Sequence, residues 1–184
     1  MYKKYPEYFK DIDLNTQFFN AFDFEAVLVD IDIKSGDNTS FNKQHVPLSV
    51  SIRSNLKNET KHFCAHNESE IKTMMRDMVD YANSISDEHY NMMKQKLQPL
   101  FDFLNSKLGK SIKKNAKKSK KLKSQKPKKE SIFTQNLRKE ISELDSFIRH
   151  MPIVGFDSGN YDINLCKKYG LIDCLMGEEK KAIE

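Results

Sequence analysis

The stretch Phe18-Phe19-Asn20-Ala21-Phe22-Asp23-Phe24-Glu25-Ala26-Val27-Leu28-Val29-Asp30-Ile31-Asp32-Ile33 decides the fold class. It is rich in aromatic and β-branched residues and ends at Ser35-Gly36-Asp37-Asn38, a strong turn signal, so it predicts a strand. Successive strand side chains point to opposite faces. One face reads Asp23, Glu25, Val27, Val29, Ile31, Ile33, and the other Phe22, Phe24, Ala26, Leu28, Asp30, Asp32. Its first half is apolar on both faces, which predicts a central strand with both faces covered.

Working outward, Val46–Ile52 reads as a second strand, with Pro47 near its start, where a missing N–H is tolerated. A short third strand is expected over Thr60–Ala65, completing an antiparallel meander. Asn67-Glu68-Ser69-Glu70 marks a helix start, followed by Ile71, Met74, Met75, Met78, Val79 and Ala82 at helical spacing. A separate helix is expected from Asp87 to Leu108, with a kink at Pro99. Helix returns over Ser131–Arg149, with Ile132, Phe133, Leu137, Ile141, Leu144 and Ile148 as its apolar stripe. A short strand at Pro152–Phe156, a turn at Asp157-Ser158-Gly159 and a helix over Asn160–Tyr169 complete the pattern. The expected class is α/β, with a mixed sheet.

The chain has 184 residues and a formal charge of +5, from 31 Lys plus Arg against 26 Asp plus Glu. That average conceals a division. Lys107 to Lys129 contains twelve lysines and no acid, leaving 19 basic and 26 acidic residues elsewhere, a balance of −7. A surface built throughout for nucleic acid is excluded; only the tract has the charge for it. With almost no apolar residues, the tract is expected to be a disordered insertion. No apolar run approaches the ~18 residues of a membrane-spanning helix. The N-terminus lacks the apolar segment of a secretory signal. Three widely spaced cysteines fit a reduced, intracellular protein. Lys117-Lys118-Ser119-Lys120-Lys121 is dense enough for a nuclear-import signal.

Two places carry chemistry. Asp23 and Glu25 share a strand face, and paired carboxylates offer the oxygen ligands that Mg²⁺ or Mn²⁺ prefer. Acids at a strand end also serve simply to meet water. Asp162 heads a stripe with Leu165, Cys166 and Tyr169 at helical spacing, which turns a carboxylate toward the body of the protein. An acid there also complements a helix dipole, and Asp157 suits an N-cap. His62-x-Cys64-x-His66 has a geometry open to zinc, but no second ligand pair stands at a usual distance.

Taken together these segments resemble the 3′–5′ exonuclease domain of family B DNA polymerases. The likeness is to the protein-primed, viral and organellar branch, especially the polymerases of Maverick/Polinton transposons. It rests on Phe22-Asp23-Phe24-Glu25, on His45-Val46-Pro47-Leu48-Ser49-Val50-Ser51-Ile52-Arg53-Ser54-Asn55, and on Met151 to Leu165 with its Gly155-Phe156-Asp157-Ser158-Gly159-Asn160-Tyr161-Asp162 core. The resemblance implies a partial ribonuclease-H-like fold and catalysis by two Mg²⁺ or Mn²⁺ ions. Asp23, Glu25 and Asp162 would be the catalytic metal ligands. Phe24, Asp157, Ser158 and Tyr161 would meet the single-stranded 3′ end. The Lys-rich tract lies outside the resemblance; by charge alone Lys117, Lys118, Lys120 and Lys121 suit DNA phosphates, or the tract is a solvated linker. Template-primer DNA and deoxynucleotides would be the partners of the parent enzyme.

Two departures accompany the likeness. The family usually has Asn where this chain has Asp157, and a carboxylate repels phosphates and lacks the amide's donors. The third motif, Tyr-x-x-x-Asp on a later helix, is matched only by Tyr169-Gly170-Leu171-Ile172-Asp173, which lies too close to Asp162 for the intervening strand and helix. A whole polymerase needs several times this length. The chain is therefore expected to be a polymerase fragment: residues 1–17 a lead-in, 18–106 and 131–170 two parts of the exonuclease domain, 107–130 the insertion, 171–184 a truncated polar end. The alternatives are a non-catalytic DNA-binding remnant that uses the lysines, or a small two-metal nuclease.

Overall fold

The computed structural model describes residues 1–12, 18–35, 39–121, 130–155 and 162–176. In chain order these form a 3-10 turn at Pro6–Tyr8, β1 (Asn20–Ser35), β2 (Thr39–Ser54), β3 (Glu59–Cys64), α1 (Glu68–Lys121), α2 (Ile132–Arg149), β4 (Ile153–Gly155), α3 (Ile163–Lys167) and α4 (Leu171–Met176). The fold is α/β with a four-stranded mixed sheet of order β3-β2-β1-β4. β1, β2 and β3 are antiparallel neighbours, as the sequence predicts, whereas β4 lies parallel to β1 through Asn20–Phe22. The chain divides into two compact units, Phe18–Ser86 with Met151–Glu184, and Met1–Gln17 with Asp87–His150. The division cuts at Asp87, inside the segment that the sequence treats as one exonuclease-like part.

In the sheet-bearing unit, alternation puts Phe22 and Phe24 on one face of β1, opposite Ile52 and Val50 of β2. α1 covers that face with Ile71, Met74, Met75, Met78, Val79 and Ala82, at most 4% exposed, so the predicted helical stripe is the core stripe. Asn58 turns the β2–β3 hairpin with φ 53°, a left-handed conformation that Asn tolerates, and its Oδ1 accepts from Arg53 Nη2 at 2.6 Å.

The other sheet face is not covered as predicted. Val27 and Val29 are 39% and 42% exposed, and Asp23 and Glu25 face solvent. Leu28, on the other side of the strand, is 57% exposed as well, so β1 runs beyond the core after Ala26. Among the described residues one helix layer covers one face, and the register shift between Glu25 and Ala26 interrupts the alternation beyond the acids. The prediction of a doubly covered strand is therefore corrected.

The second unit pairs the latter part of α1 with α2. Met93, Leu97, Leu100 and Leu104 pack with Leu137, Leu144 and Ile148. Ile132 and Phe133 are exposed, and Thr134 takes the stripe position before Leu137. The lead-in is not loose: Tyr5 and Phe9 are buried in this core. The Tyr5 hydroxyl donates to Glu140 at 2.8 Å, and Lys4 pairs with the same carboxylate.

Two further predictions are corrected. The expected pair of helices is one: α1 runs unbroken through Asn83–Asp87 and Pro99. The polar stretch contains no Gly or Pro, and Ser84 and Ser86 donate their hydroxyls back to the carbonyls of Tyr81 and Ala82. Nor does the helix end where the Lys-rich tract begins, since α1 extends to Lys121. Lys, Ala and Ser have adequate helix propensity, and extending an existing helix avoids the cost of nucleation. Residues 122–129 lie outside the described residues.

The expected truncated polar end begins instead with a helix, and residues 177–184 lie outside the described residues. Gly170, at φ +83°, supplies the left-handed turn between α3 and α4. α4 then places Leu171 in the core at 1% exposure. Among the described residues no helix is long and apolar enough to cross a membrane.

Candidate functional site

The sheet face opposite α1 gathers polar side chains because the strand registers align them. Asp23 stands opposite Ser51, which stands opposite His62. Glu25 stands opposite Ser49, itself opposite Cys64. Arg53 and Thr60 form the next row beside Ala21. Ser51 Oγ and His62 Nδ1 share a hydrogen bond of 2.8 Å. Asp23, Glu25, His62, Cys64, Arg53 and Thr60 are all exposed. The sequence singled out the two acids, and separately His62 and Cys64, but did not place them on one sheet surface. The signal was present in the alternation of β2 and β3, but reading it required the register.

β4 brings the second region close in the chain. Its parallel pairing puts Gly155 opposite Phe22, one residue before Asp23. The residues that follow, including Asp157, Ser158 and Tyr161, lie outside the described residues. The chain reappears at Asp162, buried at 3% exposure at the head of α3. The predicted stripe is present: Cys166 is fully buried, and Leu165 and Tyr169 pack against the same core. Burial, with the charge of Asp162 adding to it, pushes the Cys166 thiol up to about 12. It is therefore an inert core thiol rather than a nucleophile.

Asp23 and Glu25 are thus neighbours on one solvent-facing sheet surface, and Asp162 is buried elsewhere in the same unit. Among the described residues no three His, Cys, Asp or Glu side chains are grouped to hold a metal ion. The three-carboxylate set that the resemblance implies does not occur among them, and Asp23 and Glu25 face solvent rather than the covered sheet face expected of a central strand. Phe24 is corrected too: at 5% exposure it lies in the core, edge-on to Phe22 at 5.7 Å, and presents no ring to a base. Alternation decides this, because Phe24 shares the α1-facing side with Phe22.

The basic side chains belong to the other unit. Counted over the two units, Met1–Gln17 with Asp87–His150 holds 20 Lys plus Arg and 10 Asp plus Glu, a balance of +10. The sheet-bearing unit holds 11 and 16, a balance of −5. Lys107, Lys110, Lys113 and Lys114 are exposed on α1. Lys117, Lys118, Lys120 and Lys121 lie on its last turns, with side chains outside the described part. No protein-family model matches the chain, and neither does any curated protein or solved structure.

Proposed function

We propose that the chain is a fragment of a family B DNA polymerase of the protein-primed type, carrying the first part of its 3′–5′ exonuclease domain. One observation carries the reading: an acid-x-acid pair on β1 lies beside a parallel β4, whose chain leads on to a buried Asp162. The order β3-β2-β1-β4, three antiparallel strands and a fourth parallel to the first, is the connectivity expected of the beginning of a ribonuclease-H-like sheet. The parent role is DNA replication with proofreading, by an enzyme that acts on template-primer DNA and deoxynucleotides. Dependence on Mg²⁺ or Mn²⁺ belongs to the same proposal, with Asp23 and Glu25 as the exposed oxygen donors a hard cation would meet first.

The test is degradation of a 5′-labelled single-stranded oligonucleotide with Mg²⁺ or Mn²⁺, comparing the wild-type chain with Asp23→Ala/Glu25→Ala. Stepwise loss of 3′ nucleotides in the wild type alone supports the site. Equal cleavage by both proteins removes it. A second reading, a non-catalytic DNA-binding remnant, is favoured by the +10 balance of the helical unit. It expects no cleavage by either protein.

A further inference from the structure

We propose that the latter part of α1 is a preformed cationic face for the phosphate backbone of double-stranded nucleic acid. It rests on and deepens the second reading above, naming the residues a DNA-binding helical unit would use, and owes nothing to the metal site. The argument starts from helical geometry. At 3.6 residues per turn, Lys107, Lys110, Lys113 and Lys114 fall within an arc of about 120°. All four are exposed. Leu100, Leu104, Ser111 and Asn115 occupy a separate arc, and Leu100 and Leu104 are fully buried. The lysines therefore flank a helix whose apolar side is already occupied.

Side-chain hydrogen bonds hold this part of the helix in place. Ser131 caps α2, accepting from the Thr134 amide at 3.3 Å. Ser111 Oγ bonds Thr134 Oγ1 at 2.7 Å, and Asn115 Nδ2 donates to both Ser131 Oγ and Thr134 Oγ1 at 3.2 Å. Thr134 is fully buried. The segment carrying the four lysines is thus tied to the start of α2, rather than ordering only when a partner arrives. Fixing the charges beforehand lowers the entropy lost on binding. The acids nearby are bonded to other groups: Glu140 holds Lys4 and Tyr5 and feels Lys107 only through its charge, Glu130 holds Arg138 at 2.9 Å, and Asp102 accepts from Gln98 at 2.9 Å. Lys107 lies over the Phe103 ring at 4.1 Å.

Within Lys107–Lys114 one apolar side chain, Ile112, is exposed, and Ile132 and Phe133 are exposed at the start of α2, too few to make the continuous apolar face that enters a lipid surface. A membrane-surface helix needs a free apolar face, and α1 has spent that face on α2. Nor does the Lys107–Lys114 segment contain aromatics to stack on bases. What remains is a row of ammonium groups suited to phosphates, sequence-independent and salt-sensitive.

The experiment measures binding of the whole chain to a fluorescent 20-base-pair DNA duplex between 50 and 200 mM salt. Wild type is compared with Lys107→Gln/Lys110→Gln/Lys113→Gln/Lys114→Gln and with the fourfold Lys→Arg variant. Four lost phosphate contacts reduce the slope of log K against log[salt] by about 3.6, and wild-type affinity falls about 150-fold more steeply across that range than the Gln variant's. The Arg variant should keep the wild-type slope, and Asp23→Ala/Glu25→Ala should leave it unchanged even where cleavage is lost. A slope change below about 1 in the Gln variant would overturn the proposal, placing any binding on residues beyond this segment. So would retention on phosphatidylserine vesicles without duplex binding, or binding to neither.

Discussion

Asp23→Asn/Glu25→Gln should make the protein slightly more stable, not less. The two acids stand two residues apart on one exposed strand face. With a rise of about 3.3 Å per residue, their charges lie about 6.6 Å apart. Like charges at that separation repel by about 0.6 kcal/mol in water, and by less once salt screens them. Among the described residues no ion pair relieves either acid. Removing both charges while keeping both shapes should therefore raise stability by a few tenths of a kcal/mol.

Added metal gives the same pair a second readout. A cation bound with a dissociation constant of about 1 mM, supplied at 10 mM, stabilises the folded state by about 1.4 kcal/mol. In a protein of this size that corresponds to roughly 3–6 °C in Tm. Calorimetric scans with and without MgCl2 at matched ionic strength, on wild type and Asp23→Asn/Glu25→Gln, measure both effects. The expected pattern is a shift with Mg²⁺ in wild type that is absent in the variant, whose metal-free Tm is equal or higher. Equal shifts in the two proteins, or none in wild type, would refute the acid pair as a cation site. A variant destabilised by more than about 1 kcal/mol would refute the solvent-facing placement itself.

Four other outcomes follow from the packing and the titrating groups. Met75→Ala, at a fully buried position, should cost about 2–5 kcal/mol in urea unfolding, whereas a cost below 1 kcal/mol would contradict a packed sheet–helix core. Gly109 has nothing within 4 Å of the position a Cβ would take, so Gly109→Ala should gain about 0.5–1 kcal/mol by helix propensity, read as a higher urea midpoint. Burial pushes Glu140 up, but its bonds to Lys4 and Tyr5 outweigh this and hold its carboxyl below the usual value of 4.5. With the folded pKa below the unfolded one, its stabilisation is complete above about pH 4.5 and lost as pH falls through the folded value; Glu140→Gln should flatten the acid limb of stability against pH. In a thiol-labelling time course at pH 8, exposed Cys64 should react first and Cys166, with its pKa pushed up to about 12, last.

The sequence is informative where local pattern and tertiary packing agree. Ile71, Met74, Met75, Met78, Val79 and Ala82 form a helical stripe by spacing alone, and all six are buried. The same holds for the strand alternation that separates Phe22 and Phe24 from Asp23 and Glu25. What alternation cannot supply is which face a distant helix will cover. An apolar run such as Val27–Val29 looks buried on either side, yet the register shift after Glu25 and the single helix layer leave it exposed. The opposite error occurs in the first twelve residues, where no period is visible. Tyr5 and Phe9 are nonetheless buried, because single aromatics anchor a segment without any repeat to announce them.

The Lys-rich tract shows the same limit in electrostatic form. Composition argues that twelve lysines repel one another and cannot build a core. A helix started 39 residues earlier at Glu68 carries the first eight of them as far as Lys121. Lys107 through Lys114 are held there by bonds from Ser111 and Asn115 to the start of α2. Charge run and helix are compatible because the ordering comes from an adjoining side of the helix, through residues that composition counts only as polar filler. Whether such a tract is an inert linker or a binding face depends on those few uncharged side chains. Ser111→Ala/Asn115→Ala leaves every lysine in place and removes the bonds, so it should weaken duplex binding by relaxing the helix. Unchanged affinity together with unchanged helix content would show that the bonds are dispensable, and that the face owes its order to the Leu100 and Leu104 packing alone.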